Sequence, residues 1–200
     1  MLAINNKQKV LLLKLCIHLT ALLPLINVYY QAIIVQVFVD PVKMVIHFTG
    51  IGAFNLLLVT LLISPLAQYF KQGVLMQTRR LLGLYSFLYA LLHLLNFIAF
   101  DLQFDFGLLV NEIIKRPYIT LGMLAFILLS LLAVTSFNYI RRRLGRRWQS
   151  LHNSIYLVVI LVAIHFYWSV KSDIIEPSIY IIFSLLLLSL RYKKFSLFKG

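Results

Sequence analysis

The sequence predicts an all-α integral membrane protein: a six-helix transmembrane bundle with both termini cytoplasmic. Three observations predict it. The 200 residues are 62% hydrophobic and only 12% charged, with a mean hydropathy of +0.91, a composition that a soluble domain of this size does not carry. Six apolar stretches of about twenty residues, enough to cross a hydrocarbon core of about 30 Å, lie between charged or proline-containing breaks. The charges are also sorted between alternate loops. Fifteen of the 19 Lys and Arg residues fall on the side holding both termini, and all 6 acidic residues fall opposite, so the positive-inside rule gives an even number of crossings that starts and ends in the cytoplasm.

The spans are expected near 10–30, 44–64, 81–100, 118–138, 152–170 and 177–190. The first follows Lys7 and Lys9, but its apolar run is too long for a signal peptide and no small-residue cleavage pattern follows, so it is expected to be retained. Pro41, Pro65, Pro117 and Pro177 fall at or beside expected helix ends, where a missing N–H does least harm. Between the third and fourth spans, DLQFDFGLLVNEIIKRPY mixes acids with apolar residues and suits the membrane surface. The basic side comprises Lys7, Lys9, Lys14, Lys71, Arg79, Arg80, Arg141, Arg142, Arg143, Arg146, Arg147, Arg191, Lys193, Lys194 and Lys199. Only Lys43, Lys115, Arg116 and Lys171 lie opposite. In this setting the net charge of +13 marks topology anchors and membrane-lipid contacts, not nucleic-acid binding.

No repeat, low-complexity tract or linker is evident, so one domain is expected over 1–200. A single cysteine, Cys16, excludes an intrachain disulfide and a Cys-based metal site. There is no Walker A sequence, and GIG at Gly50 to Gly52 lacks the third glycine of a dinucleotide fingerprint and opens a membrane helix. After the sixth span too few residues follow for a flavin or nicotinamide domain, so reactants at either face are expected to come from partners or small diffusing molecules.

The five histidines, His18, His47, His93, His152 and His165, all lie in or at the edge of an expected span, where a polar side chain is costly and calls for a partner or a job. The third and fifth spans run in the same direction. His93 lies 13 residues beyond Arg80 and His165 lies 13 beyond His152, so both outer imidazoles stand about 20 Å above the basic edge. Two neutral imidazoles at one depth can supply the axial nitrogens of a haem iron; the alternative is that each only hydrogen-bonds a neighbouring helix. Ser86, Tyr89 and Asn96 share a face with His93 and would hold a cofactor or glue helices together.

His152 has two readings. On an ideal helix it is rotated by about 140° from His165, and only a π-bulge or strong tilt would align the two. The residue fourteen before His93 is Arg79, which cannot bind iron but can hold a propionate or an anionic flavin phosphate. His152 is thus either a further ligand or an interfacial histidine with a structural hydrogen bond. His18 is expected to be structural. His47, on the outer side, suits a haem edge, a quinone head group, a partner or a structural contact.

The chain resembles the ferric-reductase-like transmembrane family, and within it the haem-binding membrane subunits of bacterial periplasmic methionine-sulfoxide reductase systems. The resemblance covers nearly the whole length. It rests on the order and spacing of DPVK with HFTG (40–50), LLISPLA (61–67), TRRLLGL (78–84), LHLL around His93, RPYITLG (116–122), LGRRWQSLHN (144–153), IHFYWSVK (164–171) and RYKK (191–194). It implies a single ferric-reductase-like domain in the bacterial inner membrane that binds haem b, with His93 and His165 as axial ligands, and that binds FMN as well. It implies electrons from the quinone pool or a cytoplasmic reduced flavin, passed to a periplasmic molybdopterin-containing reductase that repairs oxidised methionine. Relatives that hold two haems use two histidine pairs, and Arg79 breaks the second pair here. Two rivals remain at this point: a transmembrane cytochrome b serving another acceptor, and a small transporter with histidines as proton relays.

Overall fold

A computed structural model describes residues 5–170 and 173–191. Lys171, Lys193, Lys194 and Lys199, and with them most of the RYKK string, lie outside the described residues. Every regular element among the described residues is helical, as in a bilayer, where backbone groups find no water and must pair within their own segment. Five helical stretches, Asn6–Val35, Pro41–Tyr69, Arg79–Asp101, Pro117–Val134 and Arg147–Ser169, are long and apolar enough to cross a membrane. The protein is therefore a multi-pass membrane protein. The sixth expected span is a helix, Ile175–Ser189, but has 15 residues. At 1.5 Å per residue it reaches about 22 Å, short of a full hydrocarbon core.

The chain divides into two compact units, Met1–Asp105 and Phe106–Gly200. The first holds α1 (Asn6–Tyr30), α2 (Pro41–Tyr69) and α3 (Arg79–Asn96). Asp40 caps α2: its carboxylate accepts the Lys43 backbone N–H at 3.0 Å and pairs with the Lys43 ammonium at 3.0 Å. The backbone N–H first, and then the ammonium, hold this carboxyl below its ordinary range. Pro41 fills the first helical position, where its missing N–H costs nothing. Pro65 departs from expectation, since α2 runs through it to Tyr69. A small core of Ala21, Leu25, Tyr85 and Tyr89 joins α1 to α3, while Leu11, Leu15 and Ile26 are exposed as a lipid-facing helix surface should be.

The second unit holds α4 (Phe106–Lys115), α5 (Pro117–Val134), α6 (Asn138–Leu144), α7 (Arg147–His152), α8 (Ile155–Ser169) and α9 (Ile175–Ser189). The acid-and-apolar loop has become α4, tied to α5 by an Arg116–Glu112 ion pair at 2.8 Å and by the Thr120 hydroxyl donating to the Ile113 carbonyl. α5 and α8 form the central pair, with Val158 and Val159 fully buried. α9 leans on α8 through an edge-to-face Phe166–Tyr180 contact at 5.5 Å. Its end is fixed by Arg191, which is buried and donates to the Tyr156 hydroxyl at 3.3 Å.

The fifth expected span corrects the helix-rotation argument. It is no single helix: α7 ends at His152 and α8 begins at Ile155. Between them the Tyr156 N–H bonds the Asn153 carbonyl at 3.1 Å, a tighter turn than an α-helix makes. A π-bulge would have been a wider one. The 140° offset calculated for an unbroken helix therefore does not apply.

Candidate functional site

His93 lies on α3, half-buried, with its ring against α2. Its Nδ1 lies 2.9 Å from the Ile46 backbone carbonyl. A carbonyl only accepts, so Nδ1 carries the proton, and the neutral imidazole keeps its lone pair on Nε2. Gly50, four residues after Ile46, makes the approach possible. In a helix the carbonyl of residue i points toward residue i+4, whose Cβ tilts back over it. A Cβ at Gly50 would lie 2.9 Å from His93 Nδ1 and 3.0 Å from its Cε1.

His165 lies on α8 with its ring against α5. Its Nδ1 lies 2.7 Å from the Tyr118 carbonyl, which fixes the same tautomer. Gly122 again stands four residues after that carbonyl, and a Cβ there would meet His165 Nδ1 at 2.8 Å and Cε1 at 2.9 Å. The Tyr118 ring lies 6.1 Å from the imidazole. In both units the histidine reaches a carbonyl 47 residues earlier. The two α-hairpins thus repeat one contact set, a repeat that the sequence reading did not find.

The polar residues of α3 act as glue. The Ser86 hydroxyl donates to the Ala53 carbonyl at 2.9 Å, the Tyr89 hydroxyl to the Ala21 carbonyl, and Asn96 exchanges hydrogen bonds with the Tyr29 hydroxyl at 2.8 and 3.0 Å. His18 bonds the Tyr85 hydroxyl through Nδ1, the structural role expected of it. His47 is exposed in the second turn of α2. Arg79 opens α3 directly after the buried Thr78, fourteen residues and about 21 Å along the helix from His93.

His152 has the opposite tautomer. The Thr135 hydroxyl gives its hydrogen to the Leu131 carbonyl at 2.6 Å, so its oxygen accepts from His152 Nε2 at 3.0 Å. The ring stacks on Trp148 at 4.0 Å. Trp148 in turn donates to the Thr135 carbonyl at 3.0 Å and lies under the Arg141 guanidinium at 4.7 Å. The bond engages only Nε2 and leaves the lone pair of Nδ1 in place, so His152 has a structural hydrogen bond and its two readings both stand.

Among the described residues, no group of three or more His, Cys, Asp or Glu side chains gathers as a bare metal ion would require. What the two hairpins offer is one oriented imidazole each. Taken hairpin by hairpin, each is a single neutral imidazole of the kind that ligates haem iron.

Comparison with known proteins agrees. The family described as "Ferric reductase like transmembrane component" matches residues 49–163. A curated protein of Salmonella arizonae, "Protein-methionine-sulfoxide reductase heme-binding subunit MsrQ", is 47% identical over 94% of this chain and 95% of its own length. Proteins of the same name from Salmonella paratyphi B and Salmonella newport are 48% identical over 92% of each chain. With His93 and the α5–α8 hairpin up to Ala163 inside the family match, and relatives at 47–48% identity over nearly the whole chain, the chain belongs to the ferric-reductase-like transmembrane family and, within it, to the MsrQ group.

Proposed function

We propose that this chain is a haem b electron-transfer subunit of the bacterial inner membrane, with His93 and His165 as the axial ligands. In this reading it is one six-span domain with both termini cytoplasmic. It takes electrons from the quinone pool or a cytoplasmic reduced flavin and delivers them to a periplasmic molybdopterin-containing methionine-sulfoxide reductase that repairs oxidised envelope proteins. The observation that carries the reading is the paired tautomer. In each hairpin a backbone carbonyl holds the Nδ1 proton, and so Nε2 is left as the nitrogen able to bind iron. The relatives' name, a heme-binding subunit, supports the same assignment.

Haem, when bound, supplies the one-electron chemistry. The chain's own residues orient the ligands. The Ile46 and Tyr118 carbonyls fix each ring's rotation and raise the basicity of Nε2. Arg79 is proposed to hold an anionic group, a propionate or the phosphate of FMN, by charge-assisted hydrogen bonds. His152 is proposed as a further cofactor-binding residue.

The reconstituted pair provides the test. Dithionite-reduced protein, freed of reductant and mixed with the molybdopterin-containing reductase, is expected to reoxidise only when methionine sulfoxide is added. Reoxidation by oxygen or ferric chelates alone, with none by the sulfoxide, would favour a cytochrome serving another acceptor. Protein purified without a Soret band would favour the transporter.

A further inference from the structure

The two hairpins share more than their histidines. The bonds Ile46–His93 and Tyr118–His165 span the same 47 residues, and Gly50 and Gly122 occupy the same place relative to both partners, the whole set being repeated 72 residues on. The other glycines set these two apart. A Cβ at Gly83, on α3 itself, would meet only Thr60 Cγ2 at 3.8 Å, an ordinary contact, and one at Gly73 would meet nothing. A Cβ at Gly52, two residues from Gly50, would strike the Tyr89 ring at 2.4 Å and no histidine.

We propose that Gly50 and Gly122 are positioning residues that hold the two iron-binding imidazoles at a fixed height and tune the iron's potential. This rests on the haem-ligation reading above. The lack of a side chain does two things. It lets the imidazole edge lie on the helix backbone, and it uncovers the carbonyl four residues earlier so that Nδ1–H can reach it. An added methyl would push the ring outward by several tenths of an ångström and lengthen that bond. The imidazole, no longer sharing its proton with a carbonyl, becomes a poorer donor and favours the ferric state less. The potential therefore rises.

The experiment uses full-length protein in lipid nanodiscs: wild type, Gly50→Ala, Gly122→Ala, Gly83→Ala and Gly52→Ala. Alanine is the better helix former, so the helices themselves should not suffer. Redox titration is expected to show upward shifts of the same sign in Gly50→Ala and Gly122→Ala, with altered low-spin g-values. Transfer of haem to an apo-acceptor should indicate roughly 10–100-fold weaker retention. Gly83→Ala should match wild type, and Gly52→Ala should lose thermal stability at unchanged potential. Wild-type and Gly83→Ala protein with low-spin haem, but Gly50→Ala and Gly122→Ala indistinguishable from them, would overturn the glycine assignment and leave the ligands standing. Failure of both alanine variants to accumulate as folded protein would also overturn it, because displacing a ligand costs haem and not the fold. A wild type without haem would overturn both.

Discussion

His93→Ala and His165→Ala should each abolish the low-spin haem spectrum, while His18→Ala should leave it intact. The contrast follows from the partner that each ring's Nδ1 meets. In His93 and His165 the Nδ1 proton goes to a carbonyl, which presents Nε2 as the donor. His18 also engages Nδ1, but with the Tyr85 hydroxyl, which both donates and accepts and so does not fix the tautomer, and it is exposed on α1. Either ligand variant should lose the sixth coordination position or the cofactor altogether. Electron delivery to the sulfoxide reductase should then fall by at least the roughly 10–100-fold that losing a supporting contact alone costs. Optical spectra of the purified variants, with pyridine haemochrome counts, check this. Unchanged spectra in both variants would remove the ligand assignment.

The second large effect concerns the fold. Gly52→Ala should destabilise the protein by on the order of 3 kcal/mol or more. The new methyl would stand 2.4 Å from two ring carbons of Tyr89, a side chain only 3% exposed whose hydroxyl is bonded to the Ala21 carbonyl. The ring cannot swing aside without breaking that bond, and a buried hydroxyl left unpaired adds its own cost. The α1–α3 core of Ala21, Leu25, Tyr85 and Tyr89 loosens as a result. Thermal unfolding in detergent reads the loss. In a Tyr89→Leu background, with the struck ring removed, the same substitution should cost much less, which is the signature of a pairwise clash. Equal costs in the two backgrounds would mean that the strain lies elsewhere.

Much of this was legible from residue types. A run of apolar residues long enough to cross a bilayer announces a helix, and in lipid each costly imidazole points to a task; both signals belong to single side chains. The repeat was not legible, because its conserved elements are two backbone carbonyls and two missing side chains. Ile46 and Tyr118 share no chemistry, and GIG at Gly50 to Gly52, short of the third glycine of a dinucleotide fingerprint, reads only as the opening of a membrane helix. In the structure its two glycines serve two different rings. The break after His152 was hidden for a related reason: Asn153 and Ser154 are compatible with a helix end or an interior, and only the Thr135–Trp148–His152 cluster settles which. α2 continues through Pro65 because four further residues reach Tyr69. The sixth segment was counted by its hydropathy, while its helix proves to be 15 residues long.

The central claim, one imidazole Nε2 from each hairpin on a single iron, is met most directly by electron paramagnetic resonance of the oxidised wild-type protein with nitrogen-15 histidine labelling. The account predicts a six-coordinate low-spin ferric signal coupled to two imidazole nitrogens, halved or lost when either His93 or His165 is replaced. A high-spin signal with a single nitrogen, or two nitrogens that persist in the absence of both side chains, would contradict it.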